Sequence, residues 1–95
     1  MSSSTEPGGR AVRARVLVFP RREILDPQGK AIHNALSRLD FAGVEEVRAG
    51  KAFDIHLRGE DEADLKRQLE EMSQRLLSNP IMEDFQIEIL PEGGR

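Results

Sequence analysis

The sequence contains no cysteine, tryptophan or tyrosine, and phenylalanine occurs only 4 times in 95 residues. Without cysteine the chain can form no disulfide, no thiolate nucleophile and no cysteine-ligated metal site. No apolar run approaches the roughly 20 residues that span a bilayer, and no early stretch resembles a signal-peptide core. We therefore expect a cytoplasmic protein with an aliphatic core and no membrane partner.

The charge balance gives no sign of nucleic-acid binding. Basic residues number 14 and acidic residues 17, a net charge of −3, and the two signs are interspersed. Broad binding to a phosphate backbone requires a concentration of positive charge. RNA recognition motifs also stack bases on aromatic side chains of central strands, whereas only Phe53 occupies a comparable position here. We expect no nucleic-acid partner.

The length supports one domain, which we place at residues 11–90. Residues 1–10 and 91–95 are dominated by Ser, Gly, Pro and charged residues, and we predict that both are disordered tails. A domain of this size buries only about 60% of the surface that its unfolded chain exposes. Association with other chains is therefore an expected source of additional burial.

Hydrophobic periodicity predicts the order strand, helix, one or two strands, helix, strand. The apolar positions that carry this pattern are Val12, Ala14, Val16 and Val18 in the first strand, Ile32, Ala35, Leu36 and Leu39 in the first helix, Leu65, Leu69, Met72 and Leu76 in the second helix, and Phe85, Ile87 and Ile89 in the last strand. The order predicts an α+β fold, a two-layer ferredoxin-like sandwich of the form β-α-β(β)-α-β. Because Leu17, Phe19 and Leu90 point away from the helix layer, we expect sheets to be packed or exchanged between subunits.

The stretch 44–58 between the helices allows more than one arrangement. Its apolar residues fall on odd positions, so a two-residue hairpin at Gly50-Lys51 would send the two apolar sets to opposite faces of the sheet. A three-residue loop that pairs Ala49 with Phe53 avoids this, and so does one central strand with a bend at Gly50. An unbroken strand would span roughly 50 Å and would have to pair with another subunit. The pattern favours the long bent strand over the split one.

The stretch ILDPQGKAI, residues 24–32, begins the first helix. Asp26 suits the N-cap, where its carboxylate can accept from the amides of Gln28 or Gly29, and Pro27 suits the first helical position. Gly29 is unfavourable in a first helical turn, which indicates that its backbone is approached closely, and we expect a neighbouring chain to make this approach. A P-loop would need a longer glycine-spaced loop that ends in Lys-Ser or Lys-Thr, and this signature is absent.

No other cluster predicts catalysis or metal binding. His33 and His56 fall on the predicted exposed faces of different elements, with no third ligand nearby in sequence. The acidic clusters at 60–62 and 70–71 suit a helix start and a solvated helix face, although paired catalytic carboxylates remain possible. Lys51 would share the apolar face of the long strand and have to reach a partner, water or an acid; alternatively it lies on a loop tip.

Four stretches together resemble the PurS family, the small subunit of phosphoribosylformylglycinamidine synthase in purine biosynthesis. The matching stretches are ILDPQGKAI at 24–32, LDF at 39–41, VEEVRAGKAFDI at 44–55 and LLSNPIMEDFQIE at 76–88. The resemblance covers about residues 13 to 90, in order and at the family's spacing. Asp40 stands where the family has glycine, which predicts a strained or differently capped helix exit.

The resemblance implies a non-catalytic subunit that bridges the ATP-dependent synthetase subunit and the glutaminase subunit of the complex and supports ammonia transfer. It implies a homodimer or tetramer, with ATP and Mg used by the complex and no cofactor bound by this chain. The motif residues that the core does not explain are candidates for partner docking, and they are Gly29, Lys30, Arg48, Gly50 and Lys51. The alternative is a free-standing ferredoxin-like regulatory module that binds a small metabolite at a dimer interface.

Overall fold

A computed structural model describes residues 10–90 and shows three strands and two helices in the predicted order. The elements are β1 (Arg10–Pro20), α1 (Pro27–Arg38), β2 (Lys51–Gly59), α2 (Glu62–Met72), a π-helical turn (Ser73–Leu77) and β3 (Glu83–Ile89). The predicted tails lie outside the described residues, apart from Arg10, with which β1 begins. The α+β class and the ferredoxin-like arrangement are confirmed.

β1 lies at the centre of an antiparallel sheet with the order β2-β1-β3. Val16 is opposite Phe53 of β2 on one side and Ile87 of β3 on the other, so the apolar faces of all three strands coincide. The prediction that the strand between the helices is central is wrong within the described sheet, where β2 is an edge. The reason is that β1, with 11 residues, offers a full-length partner to both neighbours.

The stretch between the helices is split at Gly50, and the long continuous strand is not formed in this chain. β2 begins at Lys51, and residues 44–50 have no strand assignment. Ala49 and Phe53 do not form a hairpin either, because Phe53 pairs with β1. A Cβ on Gly50 would collide with the Val18 carbonyl oxygen, so the chain crosses the end of β1 too closely for any other residue.

α2 covers the apolar face of the sheet and provides the second layer. Leu65 and Leu69 are buried, and Leu69 packs in one cluster with Val16 and its neighbours on β1. The helix begins as predicted, because the Asp61 side chain accepts from the Asp64 amide at 2.9 Å. The core is thus aliphatic and lies between β1 and α2.

The predicted stripe on α2 fails at its last member, since Leu76 is 83% exposed. The helix widens to i→i+5 bonding over Ser73–Leu77, so the residue that follows Met72 onto the core face is Leu77. The buried hydroxyls of this turn are both satisfied: Ser73 donates to the Leu69 carbonyl, and Ser78 donates to the Ser73 carbonyl, each at 2.8 Å. No hydrophobic pattern could indicate this change of period.

Alanine substitutions of Leu76 and Leu77, made one at a time, distinguish the π-helical turn from a regular α-helix. Leu77→Ala is expected to lower the free energy of unfolding by about 1 to 2 kcal/mol, because a half-buried side chain loses its core contacts. Leu76→Ala is expected to change it by less than about 0.5 kcal/mol. Urea denaturation of both variants measures this, and a larger loss for Leu76→Ala would show that the helix continues regularly.

α1 makes only sparse contact with the sheet of its own chain. The stripe predicted to be buried is largely open: Ile32 is 38% exposed and Leu39 is 65% exposed, and Gly29 is the only buried residue in the helix. The prediction that this stripe packs in the core is wrong for the single chain, because α1 does not lie over the sheet. The apolar face of α1 is therefore open to another chain.

The exit of α1 uses a left-handed residue, as the replacement of glycine suggested. Asp40 has a φ of 75°, a region that glycine adopts without steric cost and that aspartate tolerates. Asp40→Gly is therefore expected to raise stability by about 0.5 to 1 kcal/mol. Thermal unfolding should show this as a higher melting temperature, and an unchanged or lower value would contradict it.

The other face of the sheet is mostly polar. Arg13 pairs with Asp54 across the β1–β2 ladder at 3.1 Å. Its apolar residues, Leu17, Phe19 and Leu90, are half-buried, and the Arg48 guanidinium lies over the Phe19 ring with 5.3 Å to the centroid. The expectation that a partner sheet covers this face stays a prediction.

Candidate docking site

The N-terminus of α1 is held by both carboxylate oxygens of Asp26. Oδ1 accepts from the Gly29 amide at 3.0 Å, which confirms the predicted N-cap. Oδ2 accepts from the Ala49 amide, also at 3.0 Å. The second bond joins two motifs that lie 23 residues apart in sequence, and local sequence patterns carry no signal for it.

Gly29 is buried because the chain's own backbone approaches it. A Cβ at this position would collide with the Val47 carbonyl oxygen and with the Asp26 carboxylate. The close approach predicted from the sequence is therefore present, but the approaching backbone belongs to the same chain. The requirement for glycine here is met without a neighbouring subunit.

Side chains rather than a strand ladder hold residues 44–50. His33 Nε2 lies 2.8 Å from the Val44 carbonyl oxygen, and because a carbonyl only accepts, Nε2 carries the proton. Arg48 donates to the Pro20 carbonyl, and Arg22 pairs with Glu46 at 3.0 Å. The prediction that His33 is exposed is wrong, since it is half-buried by this contact, whereas His56 is exposed as predicted.

The five candidate docking residues divide into two groups. Gly29 is buried, and the half-buried Arg48 is bonded to Pro20 and stacked on a phenylalanine, so both act inside the chain. Lys30, Gly50 and Lys51 are exposed. The Lys51 ammonium lies 3.7 Å from a carboxylate oxygen of the half-buried Glu83, and the lysine side chain stays 55% accessible.

Three of the four matching stretches converge on one open cavity of about 520 Å³. Its lining comprises Pro20, Ile24–Gln28, Ala49–Lys51, Asn79, Met82 and Glu83. A smaller hollow of about 260 Å³ lies beside it and is lined in part by Lys30, His33 and Arg48. Large apolar side chains stand open at this end of the molecule, Leu25 at 78% and Met82 at 45% exposure. Apolar surface beside basic side chains is suited to recognition by another protein.

Residues 10–90 bring together no group of three His, Asp or Glu side chains that could hold a metal ion. The helices in the same residues are too short and too polar to cross a membrane.

Two carboxylates have lowered pKa values, and both support helix starts. Amide hydrogen bonds, first from Gly29 and then from Ala49, lower the pKa of Asp26 below 3.8, and the Arg48 charge acts in the same direction. The Glu60 amide and then Arg67 lower the pKa of Asp64. A group whose pKa is lower in the folded state stabilises the fold above its unfolded pKa and loses this effect as the pH falls through the folded value.

The chain is therefore expected to lose stability on acidification below about pH 4. Asp26→Asn removes one titrating group, so its unfolding free energy should fall less steeply between about pH 5 and pH 3 than that of the unaltered chain. Urea denaturation across this range measures both slopes. Identical slopes would show that Asp26 does not titrate differently in the folded state.

The fold and site define a small ferredoxin-like α+β domain in which three sequence motifs meet around one cavity. The family model of PurS, phosphoribosylformylglycinamidine (FGAM) synthase, matches residues 13–91. The chain belongs to the PurS family, which confirms the resemblance.

Known PurS subunits match over most of their length. The Methanocaldococcus jannaschii subunit is 38% identical over 77 residues, which are 81% of this chain and 93% of the relative. The Mycobacterium leprae subunit is 44% identical over 75 residues, which are 79% and 91% of the two chains.

Solved structures give the same result. The Methanocaldococcus jannaschii PurS structure superimposes with a TM-score of 0.73 at 35% identity and covers 83% of this chain and 95% of that one. It is described as one of the subunits of formylglycinamide ribonucleotide amidotransferase in the purine biosynthetic pathway. The PurLQS structure from Thermotoga maritima, at 22% identity and a TM-score of 0.79 over 85% and 99% of the two chains, shows the shared fold.

Proposed function

We propose that this chain is the small, non-catalytic subunit of phosphoribosylformylglycinamidine synthase and that it acts in the cytoplasm. It bridges the ATP-dependent synthetase subunit and the glutaminase subunit and supports transfer of ammonia between them. The observation that carries the proposal is the family match over residues 13–91, within which three of the four motif stretches line one cavity. The Methanocaldococcus jannaschii relative, described as a subunit of the same amidotransferase, supports it.

In this proposal the synthetase subunit binds ATP and Mg, and this chain provides a surface to which the larger subunits bind. At the helix start the Gly29 amide donates to the Asp26 carboxylate, and this negative charge would repel a phosphate at the same place. The exposed basic residues near it, Lys30 and Lys51, are therefore assigned to protein contacts. Neither ATP nor glutamine is a substrate of the isolated chain.

The docking surface comprises the exposed residues around the larger cavity, Leu25, Gly50, Lys51 and Met82, together with Lys30 beside it. Apolar side chains at its centre supply burial, and the two lysines supply charge that pairs with acidic groups of the larger subunits. Arg48 supports this surface from inside, so a charge reversal at Arg48 would test folding as much as docking.

Self-association is assigned to α1. Its open side presents Ile32, Leu39 and the following Phe41, which is 55% exposed, and this unpartnered face favours a second copy of the chain. Light scattering at micromolar concentration should give a dimer or tetramer of the 10.7 kDa chain. A mass near that of one chain would contradict the assignment.

Co-purification tests the bridging role. The tagged chain is mixed with purified synthetase and glutaminase subunits, and we expect one complex that contains all three. Lys30→Glu with Lys51→Glu should weaken it, whereas Lys66→Glu on the exposed side of α2 serves as the matched control and should not. No complex, combined with a metabolite-induced rise in melting temperature of the isolated chain, would instead support the regulatory module.

A further inference from the structure

Asp26 does more than a helix cap requires. The chain offers an internal comparison, because α2 begins in the same way: the Asp61 side chain accepts from the Asp64 amide at 2.9 Å. At Asp61 the cap uses one oxygen. At Asp26 the cap uses Oδ1, and Oδ2 accepts from Ala49, a residue outside the helix.

Gly29 makes room for this second bond. A Cβ at Gly29 would collide with Oδ2, which is the oxygen bonded to the Ala49 amide, and with the carbonyl of Val47. The absence of a side chain at Gly29 therefore permits the carboxylate to face the 44–50 stretch. Asp26 and Gly29 form one structural unit.

Ala49 lies within residues 48–51, the stretch that positions the docking residues Gly50 and Lys51. On one side, Arg48 is bonded to the Pro20 carbonyl; on the other, Gly50 crosses the end of β1 and Lys51 enters β2 opposite Val18. Ala49 itself lies before the ladder begins, so the sheet does not hold its amide. The carboxylate of Asp26 is the acceptor that fixes it.

We propose that Asp26 is a positioning residue whose Oδ2 holds the Ala49 amide and thereby sets residues 48–51 in the conformation that docks the larger subunits. The proposal rests on the proposed function. It assigns to Asp26 a role separate from helix capping, and the two roles use different oxygens.

Asparagine separates the two oxygens chemically. In Asp26→Asn the amide oxygen can still cap Gly29, but the NH₂ group is a donor and cannot accept from the Ala49 amide. Asp61→Asn is the matched control, since its single cap needs only the oxygen that asparagine retains. Replacing Ala49 by its α-hydroxy acid removes the donor from the other side and leaves the cap untouched.

Amide hydrogen exchange of the full chain provides the first readout. Asp26→Asn is expected to raise the exchange rate at Ala49 at least about tenfold, the size expected for loss of a hydrogen bond to a charged group, with a smaller change at Gly29. Asp61→Asn should leave Ala49 unchanged. Unaltered protection of Ala49 in folded Asp26→Asn would overturn the proposal whatever the activity of the complex.

The reconstituted complex provides the second readout. Asp26→Asn and the Ala49 ester should both lower the ratio of glutamine-dependent to ammonia-dependent turnover several-fold, and Asp61→Asn should not. A normal ratio of glutamine-dependent to ammonia-dependent turnover in a variant whose Ala49 amide has lost its protection from exchange would overturn the positioning role. If the unaltered chain proves unnecessary for turnover, the proposed function and the docking role fall together, and the exchange data still decide the Asp26–Ala49 bond. If Asp26→Asn does not fold, the ester variant decides the activity readout, and a normal turnover ratio in the folded ester would overturn the positioning role.

Discussion

Replacing Gly29 by valine is expected to lower the free energy of unfolding by about 3 kcal/mol and to remove glutamine-dependent activity of the reconstituted complex. The new side chain would collide with the Val47 carbonyl and the Asp26 carboxylate, so the 44–50 stretch would have to move away from α1. Denaturant unfolding and activity are measured on the same preparations.

Gly43→Val is the matched control. A Cβ at Gly43 meets nothing within 4 Å, so this substitution should change stability by less than about 0.5 kcal/mol. Equal losses for the two glycines would show that crowding is not what requires Gly29.

Leu69→Ala is expected to cost about 2 to 5 kcal/mol, the usual range for truncating a fully buried leucine. Leu69 is 0% exposed and contacts the apolar residues of the central strand, so the cavity would open between α2 and the sheet. Ile81→Ala, at a residue that is 81% exposed, should cost little. Similar losses for both variants would show that α2 does not cover the sheet as described.

The elements that depend on local chemistry could be predicted from the sequence. Alternation from Val12 to Val18 predicted β1, and the cap at Asp26 and the acidic cluster at 60–62 predicted the two helix starts. The family resemblance was equally accessible, because its motifs are contiguous stretches of residues. These features need only neighbours in sequence, and the structure confirms them.

Features that depend on distant contacts could not be predicted. The bond from Asp26 to Ala49 requires two motifs to meet in space. The π-helical turn that brings Leu77 inward contains two serine hydroxyls with local hydrogen bonds, and their burial is set by the tertiary packing around them. The open stripe of α1 has the periodicity of a core helix, because periodicity reports which side of a helix is covered and not by which chain. The helical pattern also places His33 on the surface, because it does not show that the ring contacts the Val44 carbonyl outside the helix.

The division of the candidate site into internal and exposed residues refines its interpretation. Gly29 and Arg48 shape the stretch before β2, and Lys30, Gly50 and Lys51 are placed where another protein can reach them. Exposed residues held in place by buried ones are expected in a subunit that binds other subunits, since such binding depends on complementary shape and charge.

Reconstitution without the chain tests the central claim most directly. Purified synthetase and glutaminase subunits are assayed for ATP-driven amidation of phosphoribosylformylglycinamide, with glutamine or with ammonia, in the presence and absence of this chain. The account predicts that glutamine-dependent turnover requires the chain, that ammonia-dependent turnover suffers less, and that the chain alone hydrolyses neither ATP nor glutamine. Full glutamine-dependent turnover without the chain would contradict it.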